Sequence, residues 1–177
     1  MDTQQMTCAK HVQETDAPRR ILFVCTGNTC RSPMAAALLN EMSRPKQICS
    51  AAGELCVTPR FAASSAGLYP SVGDPITPAA ENALRESGIP PRPDNDYTAH
   101  RARLVNEEMV AEADEIVGLT ASHAMQLMLR FPEAAAKIST LPMDVPDPFG
   151  GTPEVYRTCL SLLRICLTQS FFAGGEA

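Results

Sequence analysis

The chain is short of positive charge: 15 lysines and arginines stand against 20 acidic residues, for a net charge of −5. That balance excludes general binding to nucleic acid or to an anionic membrane, though not one local anion pocket. No run of 18 apolar residues occurs, so no membrane-spanning helix is expected. The first 18 residues are polar and lack the apolar stretch of a secretory signal, which points to the cytoplasm. Histidine is scarce, with three residues, and the seven cysteines contain no Cys-x-x-Cys pair. A structural zinc site is therefore not expected, and no metal or other cofactor is. The odd cysteine count, without a secretion signal, fits free thiols in a reducing compartment.

What is present suits one soluble domain. Apolar residues make up 45% of 177 and charged residues 20%, enough for a single real core and too short a chain for two. Residues 1–18 read as a polar extension, 19–170 as the domain and 171–177 as a short tail. Arg19–Cys25, RRILFVC, is a β-branched apolar run typical of a strand buried on both faces. Alanine, leucine and methionine over 31–43 predict a helix with Pro33 in its first turn. The segment 44–60 carries prolines and a glycine and reads as a surface loop or insertion.

Further along, strands are expected over 61–68, 115–119 and 137–141. Thr77, Asn106 and Thr120 are placed to cap helices. Apolar positions 155, 159, 162, 163 and 166 predict an amphipathic final helix over 153–170. Alternating strands and helices of this length imply an α/β fold, a parallel sheet with helices on both faces.

Chemistry concentrates in Val24-Cys25-Thr26-Gly27-Asn28-Thr29-Cys30-Arg31-Ser32-Pro33. A cysteine ends a buried strand, and an arginine opens a helix a few residues later. Ligands of open α/β sheets bind at the carboxyl ends of the strands. A tight strand–loop–helix turn aims backbone N–H groups inward, and the helix N-terminus adds positive potential. Arg31 can fork two donors onto a tetrahedral anion. Gly27 and Asn28 tolerate the positive φ such loops often need. Cys25 at the floor of this cup favours the thiolate, with the Ser32 hydroxyl as a further donor to sulfur. A thiolate beneath a phosphoryl group is an in-line nucleophile.

The second element is Asp144-Val-Pro-Asp147-Pro-Phe-Gly-Gly. Prolines stiffen this loop, so a carboxylate there is held at a set position. A thiolate phosphatase needs an acid for the leaving group and then a base for water. Asp147 is the expected acid, with Asp144 the second candidate.

CTGNTCRSP together with DPFGG resembles the low-molecular-weight protein tyrosine phosphatase family, over roughly Arg19 to Ser170. The resemblance implies a single domain with a four-stranded parallel sheet and a phosphocysteine intermediate on Cys25. It implies Arg31 on the phosphoryl oxygens, Ser32 on the thiolate, Asp147 as general acid and Asn28 as the residue that holds the loop's shape. Thr26, Gly27, Asn28, Thr29, Cys30 and Ser32 complete the phosphate-binding loop. Cys30 matches a cysteine that, in many members, forms a reversible disulfide with the nucleophile. His100 matches a histidine that braces the loop in some members, against the alternative of an ordinary surface histidine. The implied partner is a phosphorylated protein.

Thr29 stands where tyrosine-specific members usually carry a bulky aliphatic residue, and Phe149 is followed by glycine rather than a second aromatic. That pairing resembles the bacterial branch acting on phosphoarginine. A threonine hydroxyl can hydrogen-bond a guanidinium, and losing an aromatic removes a stacking face for a phenyl ring. The substrate wall is expected to be Thr29, Phe149 and Tyr69, and phosphoarginine is favoured over phosphotyrosine. Three other functions compete. An arsenate reductase needs relay cysteines, yet none lies between 57 and 158. A phosphocarrier would lack the hydrolytic acid. A non-catalytic phosphate sensor would not need the nucleophile.

Overall fold

Strand β1 (Arg19–Cys25) is the spine of the molecule, buried from Ile21 to Cys25. It lies between β4 (Phe61–Gly67) and β5 (Glu115–Gly118), with β6 (Ile138–Thr140) beyond β5, in a four-stranded sheet of order β4-β1-β5-β6. Every pairing in that sheet is parallel, with Cys25 opposite Gly67 and Val24 opposite Gly118. The computed structural model describes residues 17–44, 48–50, 53–55 and 60–173. Most of the expected polar extension and the last four residues of the expected tail lie outside these. Within 44–60, the backbones of β2 (Ile48–Ser50) and β3 (Gly53–Leu55) pair antiparallel, while 45–47, 51–52 and 56–59 of that expected insertion lie outside the described residues.

Side chains alternate along β1, and the two faces feed two cores. Ile21, Phe23 and Cys25 pack with α1 (Arg31–Met42), α2 (Pro78–Glu86) and α5 (Pro153–Phe171). Leu22 and Val24 pack on the other face, with α3 (Glu107–Glu112) and α4 (Ala121–Arg130). The parallel sheet covered on both faces is thus the expected one. Thr77, Asn106 and Thr120 cap α2, α3 and α4, their side-chain oxygens accepting from Ala80, Met109 and His123 N–H. In α5 the buried stripe is Tyr156, Cys159, Leu160, Leu163, Cys166, Leu167 and Phe171, with Val155 exposed. Of the expected positions, 159, 163 and 166 are buried and Leu162 packs partly against the core. The stripe is broadened by Tyr156 and Phe171, which carry rings into the core, Phe171 edge-on to Phe23 and Phe61.

The β4 edge of the sheet is covered by side chains and, at Gly67, by the backbone of 103–105. Asn40 donates to the Ala63 carbonyl and accepts from its N–H, at 3.1 and 2.7 Å, in the manner of a neighbouring strand. Ser43 Oγ takes the Phe61 N–H at 2.7 Å and Arg103 Nε donates to the Ser65 carbonyl at 2.9 Å. Covering an edge strand removes a template for unwanted pairing.

Two glycines let elements approach the carboxyl edge of the sheet. A Cβ on Gly67 would stand 2.7 Å from the Thr26 carbonyl oxygen, and one on Gly118 would stand 2.6 Å from Ala124 N. The first packs the loop after Cys25 onto β4. The second lets α4 start directly beside β5.

Candidate active site

Cys25 ends β1 and Arg31 opens α1, so the loop between them is a strand–turn–helix corner at the carboxyl edge of the sheet. Asn28 supplies the turn: its φ is 56°, the left-handed region, and it is wholly buried. Asparagine reaches that region more readily than most residues. Gly27 is absent from the positive-φ residues, and a Cβ there would meet only Thr29 Oγ1, at 3.8 Å. The backbone freedom expected of both residues is used at Asn28 alone.

Asn28 is tied on every side. Its Nδ2 donates to Ser32 Oγ at 2.9 Å and Ser65 Oγ at 3.0 Å, and its Oδ1 accepts from Arg103 N at 3.0 Å. Its carbonyl accepts from His100 Nε2 at 2.7 Å, so His100 does touch the loop. Burial pushes the His100 pKa down, which favours a neutral ring.

The sulfur of Cys25 sits inside this frame. Ser32 Oγ lies 3.0 Å from it, and Asn28 N–H points at it from 3.3 Å. Because Ser32 Oγ already accepts from Asn28, its own hydrogen is available to the sulfur or, at 3.3 Å, to the Ala66 carbonyl. Unlike α2, α3 and α4, helix α1 has no side-chain cap, so its first N–H groups remain available to an anion.

Arg31 is nearly buried and reaches across to the 144–149 loop. Its Nη2 pairs with Asp147 Oδ2 at 2.8 Å, and its Nη1 donates to the Val145 carbonyl at 3.3 Å. Its Nε is buried without a partner among the described residues, an N–H that an oxygen of a bound anion would satisfy. Asp147 is half-exposed, and its other oxygen accepts from Phe149 N at 3.2 Å. Asp144 behaves differently. Its Oδ1 accepts from Ala121 N at 2.8 Å, at the start of α4.

A cavity of about 260 Å³ opens above the sulfur, lined by Cys25, Thr26, Gly27, Thr29, Cys30, Arg31, Tyr69, Ser71, Asp74, Asp147 and Phe149. The three expected wall residues are all there, Tyr69 and Phe149 strongly exposed. Tyr69 Oη donates to Gln126 Oε1 at 3.0 Å. A larger cavity, about 640 Å³, runs past His100 and Arg103 on the far side of the loop and does not include Cys25. Cys30 Sγ lies 3.4 Å from both Thr77 Oγ1 and Tyr156 Oη, and burial first, then this thiol, push the Tyr156 phenol up to about 12. Cys159, in the core, is likewise pushed up to about 12 by burial, which keeps it a thiol.

Sequence reasoning missed His123. Its ring bridges Thr120 Oγ1 and Thr26 Oγ1, at 2.9 and 3.0 Å, linking the cap of α4 to the residue after Cys25. Burial, assisted by the Arg31 charge, lowers its pKa to about 4. The available signal was the spacing: a capping threonine three residues before a histidine. Asp74 and Ser71 were also missed, because VGDP reads as an ordinary turn.

A family model described as "Low molecular weight phosphotyrosine protein phosphatase" matches residues 20–173. A "Protein-arginine-phosphatase" of Geobacillus stearothermophilus is 40% identical over 159 residues, covering 86% of this chain and 93% of that protein. One from Bacillus subtilis is 35% identical, covering 84% and 92%. The crystal structure of a low molecular weight protein tyrosine phosphatase from T. tengcongensis superposes with a TM-score of 0.71 at 36% identity, covering 85% and 96%.

Proposed function

Because the chain belongs to the low molecular weight phosphotyrosine protein phosphatase family, and is a phosphatase, we propose that it dephosphorylates phosphoarginine on proteins through a phosphocysteine intermediate. The observation that carries the chemistry is the Cys25 sulfur, contacted by Ser32 Oγ and Asn28 N–H beside an Arg31–Asp147 pair. Backbone N–H groups of the loop, Arg31 Nε and one further guanidinium N–H take the phosphoryl oxygens. The Cys25 thiolate attacks phosphorus in line as the P–N bond breaks. Asp147 gives its proton to the departing guanidino nitrogen. The Asp147 carboxylate then takes a proton from water, which attacks phosphorus, breaks the P–S bond and releases inorganic phosphate and the thiolate. Asp147 suits this role better than Asp144, which is committed to the start of α4.

Phosphoarginine as substrate is supported by the two arginine-phosphatase relatives and by Thr29 on the cavity wall. Cys30 is the proposed redox partner of Cys25, lining the same cavity. A cytoplasmic location would suit that reversible thiol chemistry. The test is phosphate release from matched phosphoarginine and phosphotyrosine peptides, with Cys25→Ser as blank. Faster release from phosphoarginine, abolished in the blank, is expected. Preference for phosphotyrosine would overturn the substrate assignment, and release that survives Cys25→Ser would overturn the nucleophile.

A further inference from the structure

Asp74 lines the mouth of the Cys25 cavity and has no part in the reaction described above. The charges facing that cavity are few. Among the described residues that line it, Arg31 is the one cation, and Asp147 and Asp74 are the two carboxylates. Arg31 and Asp147 pair at 2.8 Å. Among the described residues no ion pair involves Asp74. Its backbone is nevertheless fixed. Gly73 N–H donates to the Ala102 carbonyl at 2.8 Å, and Ala102 N–H donates back to the Asp74 carbonyl at 2.7 Å. Gly73 takes φ 95°, which makes the turn, and Pro75 restricts the residue before it. Four residues from Gly73, Thr77 N–H donates to the Thr29 carbonyl at 2.9 Å, tying this rim to the phosphate loop. The carboxylate is therefore presented from a pinned turn.

We infer that Asp74 is a specificity-determining residue that reads the guanidinium of the substrate by ion pairing and disfavours phosphate esters of uncharged side chains. The inference rests on the phosphoarginine reading above. A phosphoryl dianion in the cup places negative charge beneath the Asp74 carboxylate. With a phenyl leaving group no positive charge on the substrate offsets that repulsion. With a guanidinium, the cation lies between the two anions and is attracted by both. Asp147 cannot take that task throughout, because it must carry a proton to the leaving nitrogen.

The test compares kcat/KM of the full chain on matched phosphoarginine and phosphotyrosine peptides, at low and high salt. Asp74→Asn should lower the phosphoarginine value about fivefold, mostly through KM, as expected for one solvent-facing ion pair. It should raise the phosphotyrosine value about twofold, by the same screened coulombic interaction acting on the dianion. Both changes should shrink at high salt, and Asp74→Glu should restore part of the preference. Glu133→Gln, an equal charge change in the 132–137 turn away from the cavity, should leave the ratio of the two substrates unmoved. A ratio unchanged in Asp74→Asn, or moved as much by Glu133→Gln, overturns the inference while the phosphoarginine reading stands. A wild-type chain inactive on phosphoarginine overturns both.

Discussion

The loop from Cys25 to Ser32 and the rim around Tyr69, Asp74 and Phe149 face the same cavity, yet they are built in opposite ways. In the loop, Asn28 and Ser32 are wholly buried, and their polar atoms are spent on one another, on the sulfur and on the ends of β4. On the rim, Tyr69 and Phe149 are 71% and 72% exposed. A buried, mutually hydrogen-bonded frame of this kind cannot adjust cheaply, which suits a transition state whose charge distribution is always the same. An exposed rim tolerates change at little cost to the fold. On the function proposed above, the buried residues of the loop carry the chemistry and the exposed residues around the cavity choose the leaving group.

The sharpest way to break that comparison is at the residue that joins the two regions. Asp147 lies on the rim but pairs with Arg31 of the loop. Asp147→Asn should lower turnover by about 10²–10⁴, the usual size of an acid–base contribution. Asp144→Asn should keep turnover and lose about 1 kcal/mol of stability, as for a lost helix cap. Steady-state kinetics with denaturant melts checks both. The reverse pattern would move the acid to Asp144.

A second probe sits behind the loop. His123 has a folded pKa near 4, below an unfolded value of about 6.5. The unfolded chain then binds more protons in that interval, so stability should fall as pH drops from about 6.5 towards 4, by up to about 3 kcal/mol. Urea unfolding at several pH values should show a shallower slope in His123→Asn. Equal slopes would mean that the ring titrates freely.

Gly67→Ala, smaller again, tests whether the loop depends on the strand beneath it. The added methyl would meet the Thr26 carbonyl at 2.7 Å. It should cost about 1–3 kcal/mol and lower kcat on both substrates alike, because the displaced loop serves both. A change in substrate preference would place selectivity inside the loop.

Much of the loop could be read in the sequence because it is local. Strand, turn and helix follow one another directly between Arg19 and Met42, and the spacing of cysteine and arginine survives folding unchanged. The capping residues Thr77, Asn106 and Thr120 were legible for the same reason, since each acts on an N–H three residues away. What joins distant segments was not legible. Asn40 imitates a strand for Ala63, 23 residues on. His123 reaches Thr26 across 97 residues, and Asp74 meets the site only because the Ala102 backbone pins its turn. The stripe on α5 was legible at Cys159, Leu163 and Cys166, with Leu162 packed partly against the core, and it failed only at Val155, while the core also takes Tyr156 and Phe171.

The division between loop and rim is tested most directly by one paired measurement. It is the ratio of kcat/KM on matched phosphoarginine and phosphotyrosine peptides in Ser32→Ala and in Phe149→Ala. Ser32 touches the sulfur, so Ser32→Ala should lower both rates by a similar factor and leave the ratio where it was. Phe149 lines the wall from the rim, so Phe149→Ala removes a stacking face for a phenyl ring and should shift the ratio towards phosphoarginine. A ratio that moves in Ser32→Ala and stays fixed in Phe149→Ala would contradict the account.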